Sequence, residues 1–105
     1  REANMEQQCE GTPQAEIRLE GRKLLRSDVA NDWGSQLLWE IRRNGQVVAT
    51  VPARANNSYE HADTTPGQYE VVLQMFKYEG YAKDPAGNFT KSKLVEVSNK
   101  VSYTV

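Results

Sequence analysis

His61 is the only histidine in the 105-residue chain, and so the only side chain of its type that could shuttle protons near neutral pH. With Ser58 and Asp63 it would complete a hydroxyl nucleophile, a base and an orienting carboxylate. A working triad draws these groups from separate elements, however, and neighbours along one short segment cannot easily take up its geometry. The expected place for His61 is therefore a solvent-exposed position beside a turn. Cys9 is the single cysteine. As a nucleophile it would need a base and an electropositive pocket, and it sits in a polar lead without either signal. One thiol forms no internal disulfide, and one cysteine with one histidine builds no zinc site. Cys9 reads as a free thiol or a site of intermolecular or prosegment pairing.

Asp28, Asp32, Asp63 and Asp84, with Asn31 and Asn88, supply oxygen donors of the kind calcium takes. Their spacing fits no EF-hand loop and contains no DxDxD cluster, so solvated loop acids are expected and no metal site. No glycine-rich phosphate loop, Walker motif or HExxH is present, and neither a cofactor nor a catalytic residue is expected. Aromatic residues are the more informative set. Trp33, Tyr78, Tyr81 and Phe89 fall in or beside loop-like stretches, and Lys83, Asp84 and Asn88 lie among the last two. Stacking area mixed with adaptable hydrogen-bonding groups is how surfaces bind sugars and how protein interfaces form hot spots. These seven residues are the candidate partner contacts. Covering the ends of a packed domain is the competing role for the aromatics. Asn56-Asn57-Ser58 and Asn88-Phe89-Thr90 match the N-glycosylation sequon, a pattern close to chance in a chain this rich in Asn, Ser and Thr.

Positioning such groups requires a scaffold, and composition bounds which one. A chain of 105 residues supports one domain, and 38% hydrophobic residues with mean hydropathy −0.73 imply a thin core patterned economically. The net charge of −1, with both signs interspersed, gives no electrostatic footprint for nucleic acid and no cationic face for anionic lipid. Apolar runs such as Val71-Val72-Leu73 fall far short of the ~20 residues of a membrane helix, so no membrane insertion is expected.

Residues 1–13 show no period and end in Gly-Thr-Pro, which reads as a flexible lead or linker to a domain spanning 14–105, a pre-strand arm that joins the sheet late being the alternative. Ala15, Ile17 and Leu19 alternate with Glu16, Arg18 and Glu20, a half-buried strand, and Arg22 to Arg26 resume a second beyond Gly21. Residues 27–36 are loop-like. Leu37 to Arg43, then Asn44-Gly45, then Gln46 to Val51 is a hairpin signature, because a type I′ turn needs positive φ at both central residues. Trp39, Ile41, Val47, Ala49 and Val51 are expected to face inward. A helix over 34–43, with Leu37 and Ile41 four apart, is the rival reading. Asn57 to His61 form a short strand, and Pro66-Gly67 are placed as in a type II turn. The longest strand, Gln68 to Tyr78, turns Tyr69, Val71, Leu73 and Met75 to the core, while Val72 and Phe76 hint at partial cover on its other face. Residues 79–92 form a long connection. The closing segment alternates again from Lys93 to Val105, with a bulge or break at Ser98-Asn99-Lys100. About seven short strands spaced by turns, with no helix, indicate an all-β fold, a two-sheet antiparallel β-sandwich.

Three pieces of sequence resemble immunoglobulin-like, fibronectin type III-like and polycystic-kidney-disease-like domains. Trp39 leads through Arg43-Asn44-Gly45-Gln46 into Val47-Val48. Tyr59 precedes Thr64-Thr65-Pro66-Gly67-Gln68-Tyr69. Ala82-Lys83-Asp84-Pro85-Ala86-Gly87-Asn88-Phe89-Thr90 is similar to the hairpin before the last strand of bacterial immunoglobulin-like repeats. The likeness covers 37–105 better than 1–36, and the paired cysteines of antibody domains are absent. It implies a Trp-centred core and a tyrosine that ties the turn to the strand. It further implies an extracellular, secreted or cell-surface module, a monomer, that engages a protein partner through its end loops. A carbohydrate-binding accessory domain and a small secreted ligand or inhibitor are the alternatives. Fold alone does not choose among these.

Overall fold

Alternation in the sequence becomes strand after strand in the computed structural model, which describes residues 11–78, 85 and 92–105. Eight strands are present, and among the described residues there is no helix: β1 (Ile17–Glu20), β2 (Lys23–Arg26), β3 (Leu37–Arg43), β4 (Gln46–Pro52), β5 (Ser58–Glu60), β6 (Gln68–Tyr78), β7 (Ser92–Glu96) and β8 (Val101–Thr104). They form two antiparallel sheets, β1-β2-β5 and β4-β3-β6-β7, with β8 also paired to β6. β7 and β8 follow one another along the same flank of β6, so the expected seventh strand is one strand broken at Ser98–Lys100.

The core lies between the sheets. Trp39, Ile41, Tyr69, Val71, Leu73 and Met75 are fully buried there, facing Ile17 and Leu24 of the smaller sheet. Burial of these side chains supplies the main drive for folding, at about 25 cal/mol per Å² of apolar surface removed from water. The strand reading of 34–43 prevails over the helical one because Leu37–Arg43 pairs along its whole length with β6. On the outer face of the larger sheet Leu38, Glu40, Val72 and Gln74 are also buried, so the cover hinted at by Val72 exists.

Asn44 and Gly45 close the β3–β4 hairpin with φ of 51° and 84°, the pair of left-handed residues a type I′ turn requires. Val47 is a correction to the inward set, because it is 51% exposed. Ile41 opposes Ala49 but Arg42 opposes Val47, so Val48 is an extra residue that shifts the phase of the strand and turns Val47 outward with Arg42.

Pro66-Gly67 is a second correction. Gly67 is nearly extended, with φ of 158°, rather than near the +80° of a type II turn. Its N–H and C=O exchange hydrogen bonds with Val105, which continues the β6–β8 ladder. Side chains make the corner instead. Asp63 Oδ1 accepts the Thr65 N–H and hydroxyl, and the Tyr69 hydroxyl donates to the Thr65 carbonyl at 2.6 Å, a tyrosine corner.

The segment before β1 joins the two sheets. Gln14 bridges Ala30, while Ala15 bridges Ser98 in parallel and its N–H donates to the Val97 carbonyl. Asn99 completes the seam with its side chain, accepting the Ile17 N–H and donating to the Ile17 carbonyl, both at 2.9 Å. Pro13, placed in the lead by its sequence, is fully buried.

Candidate functional site

Strand direction fixes what lies at each end of this body, which measures 50 × 26 × 20 Å. One end gathers residues 27–36, the β4–β5 connection and the point where β6 and β7 meet, with Tyr78 paired to Ser92. The other gathers the β1–β2 turn, the Asn44-Gly45 turn, residues 61–67 and Val105.

Loop 27–36 has little regular pairing, yet side chains hold it. Arg54 grips Asp32 with two parallel hydrogen bonds of 2.9 and 3.0 Å and donates again to the Ser35 carbonyl. A fork-on-carboxylate pair is directional as well as charged, so it fixes orientation along with distance. The Arg54 guanidinium holds the Asp32 carboxyl below its ordinary value, and the Gly34 N–H donated to Asp32 Oδ1 acts the same way against the opposing effect of burial. Arg26 spans the neighbouring gap, donating to the carbonyls of Ala53, Ser27 and Arg54. Ser35 is tied to the far end of β6 through the Phe76 carbonyl, and the Phe76 N–H donates to the Gln36 carbonyl. Two arginines and one aspartate thus convert a polar loop into a fixed platform, an arrangement that loop composition alone does not signal.

Trp33 is 6% exposed and belongs to the core cluster, so its ring covers the end of the sandwich instead of offering a stacking face. Tyr78 closes β6 at the same end. Tyr81, Lys83, Asp84, Asn88 and Phe89 lie outside the described residues, as do Cys9 and the second sequon. Pro85, within that stretch, is exposed, and so is Asn56 of the first sequon. The chain therefore brings Trp33 and Tyr78 to one end, with Trp33 turned inward.

At the opposite end His61 corrects the expectation of a solvent-exposed histidine, since its side chain is 10% exposed. Period two explains this, because His61 follows Tyr59 by two residues and shares its inward face. Its Nδ1 lies 3.3 Å from the Tyr59 hydroxyl, and its ring centroid lies 6.0 Å from that of Tyr69, which stacks on Tyr103 at 4.9 Å. Burial pushes the Tyr103 hydroxyl up. Asp63 bonds Thr65 and pairs with Arg43 at 3.1 Å, and its carboxyl is held low by the Thr65 bonds first and the Arg43 charge after. Ser58 stands opposite Leu25 in the β2–β5 ladder, and the same period turns it away from the face that Tyr59 and His61 share. The sequence neighbours Ser58, His61 and Asp63 are therefore not assembled as a triad. Among the described residues no three His, Cys, Asp or Glu side chains converge on a point that would hold a metal ion. Asp32 and Asp63 each answer an arginine instead.

The larger sheet's outer face carries the Glu40–Arg42 pair at 2.8 Å and the exposed apolar residues Val47, Val48 and Leu94. No helix among the described residues is long and apolar enough to cross a membrane. No protein-family model, no curated protein and no solved structure matches the chain.

Proposed function

We propose that this chain is a non-catalytic binding or spacer module of an extracellular or cell-surface protein, immunoglobulin-like or fibronectin type III-like in kind, that acts as a monomer and engages a protein partner through its end loops. One observation carries the reading. The segment before β1 runs parallel to the last strand, so the chain enters at one end of the sandwich and leaves at the other. A body of this shape can be placed in series with others, and loops on a rigid sandwich are the usual recognition sites of this architecture. The tyrosine corner and the Trp39-centred core support the family likeness read from the sequence.

The contact role is tested with Tyr81→Ala combined with Lys83→Glu. Intact chain, immobilised, is presented with extracellular proteins of its source and, separately, with a glycan array. A protein ligand bound by the wild type and lost in the variant, with the melting temperature unchanged, supports the reading. Binding retained, or lost only together with stability, removes the end loop from it. Selective capture of a polysaccharide makes the chain an accessory domain of a carbohydrate-acting protein instead.

A further inference from the structure

The one buried ring nitrogen in the described residues that lacks a hydrogen-bond partner, apart from the Trp39 indole, is His61 Nε2. It lies 4.0 Å from Asp63 Oδ2, just beyond hydrogen-bond reach. The surroundings fix which nitrogen bears the proton in the neutral ring. The Asp63 carboxylate faces Nε2 and favours the hydrogen there, and Nδ1 then accepts from the Tyr59 hydroxyl, a group able to donate or to accept. A second proton then has somewhere to go. It enters at Nδ1, and the Tyr59 hydroxyl rotates from donor to acceptor without any movement of its ring.

We propose that Tyr59, His61, Asp63 and Thr65 form a pH-responsive joint, in which protonation of His61 closes the Nε2–Asp63 gap and draws the carboxylate away from Arg43. The imidazolium takes its proton from solvent and donates from both nitrogens, to Tyr59 Oη and to Asp63 Oδ2. Arg43, which now holds Oδ2 from the end of β3, is the competing cation. Tyr69 of β6 packs against the imidazole, Tyr103 of β8 stacks behind Tyr69, and the charge of Arg22 is felt by Tyr103. The consequence is local and directional. Asp63 also holds Thr65, whose carbonyl receives the Tyr69 hydroxyl, so a carboxylate pulled toward His61 alters the corner that anchors the start of β6. Asp63 itself is held low by its Thr65 bonds and the Arg43 charge, so it faces the ring as a carboxylate. The joint lies at the end opposite the loop platform, so it neither needs nor disturbs the partner-binding reading.

The test is nitrogen and proton magnetic resonance on the intact chain between about pH 8 and 5, where histidine changes charge. The expected result is that the Thr65 amide and Arg43 Nε resonances move with the midpoint of the His61 ring signals. In His61→Gln those movements should vanish over the same range. Movements that do not follow the His61 midpoint, or that persist unchanged in His61→Gln, overturn the proposal. The ring itself supplies a second test that needs no variant. Long-range nitrogen–proton couplings should show hydrogens on both ring nitrogens at the acid end of that range, and a ring that never carries both overturns the joint.

Discussion

Trp39 shows what a single residue does in a core this small. It is fully buried, pairs with Val51 and Leu73 across the two neighbouring strands, and its indole N–H finds no acceptor among the described residues. That unmet bond is tolerated because the ring's apolar area far outweighs one lost polar contact. Trp39→Ala should therefore cost about 3–5 kcal/mol, read from urea midpoints, and a loss below about 1 kcal/mol would contradict the packing. Asp32 illustrates a different residue-scale effect. Its folded-state pKa lies below its ordinary value of 3.8, so the Arg54 pair contributes stability above that pH, and the contribution is lost as pH falls through the lowered folded value. The advantage of wild type over Asp32→Asn should hold at neutral pH and shrink progressively below about pH 4, measured by thermal melts at stepped pH. An advantage that grows with acid would reverse the assigned sign. The inward placement of Trp39 and Tyr69 is legible from alternation. Neither the Asp32–Arg54 grip nor the His61–Asp63 approach is, since the first joins residues 22 positions apart through side chains, and the second depends on which face a three-residue strand presents.

Elements read well where the backbone requirement is local. The Asn44-Gly45 hairpin is such a case, because both residues adopt positive φ and Asn44 adds two bonds to Gln68, its N–H to the carbonyl and its Oδ1 from the amide. Open space surrounds the position a Gly45 side chain would take, so a substitution there meets conformational strain and no clash. Gly45→Val should lower the melting temperature markedly while Gly45→Asn is far milder, because Asn tolerates the left-handed region and a β-branched residue resists it. Equal effects of the two would mean that the turn is not under that constraint. The bulge at Val48 is not legible, since a one-residue insertion leaves the alternation of Val47, Ala49 and Val51 intact on paper while shifting their phase in space. It also blunts the exposed edge of the larger sheet together with Pro52, which has no N–H to offer a further strand. The break at Ser98–Lys100 is visible in the sequence, but its purpose is not. Ser98 Oγ accepts the Leu73 N–H and Asn99 takes both polar groups of Ile17, so side chains stand in for the missing ladder. Asn99→Ala should then cost about 1–3 kcal/mol and raise amide exchange at Ile17 selectively, with little change at Val71. Uniform exchange across the chain would remove the local role.

At the scale of the whole molecule, the decisive property is direction. The fold class follows from strand count and turn spacing, yet which ends of the body the chain uses does not, because that depends on the parallel bridge between Ala15 and Ser98, a contact 83 positions apart with no sequence signature. An antiparallel start would have brought entrance and exit together, whereas the parallel start sets them apart along the body. The consequence is a distance. From the level of Ala15 the last strand runs on to Val105 along the long axis, and strand rise is about 3.3 Å per residue, so Thr12 and Val105 should stand roughly 30 Å apart. Spin labels at Thr12→Cys and Val105→Cys, on a Cys9→Ser background that removes the native thiol, would report that separation by pulsed electron resonance. A distribution centred near that roughly 30 Å is the expected outcome. One centred below about half of it would place entrance and exit side by side, contradict the parallel bridge, and take with it the case for a domain that works in series. Repeating the measurement on Asn99→Ala distinguishes the two devices in the seam. If the Ala15 N–H to Val97 carbonyl bond holds the segment without Asn99, the mean distance stays and only its spread widens. If the mean itself moves, the asparagine side chain is what sets the direction of the chain at its entrance.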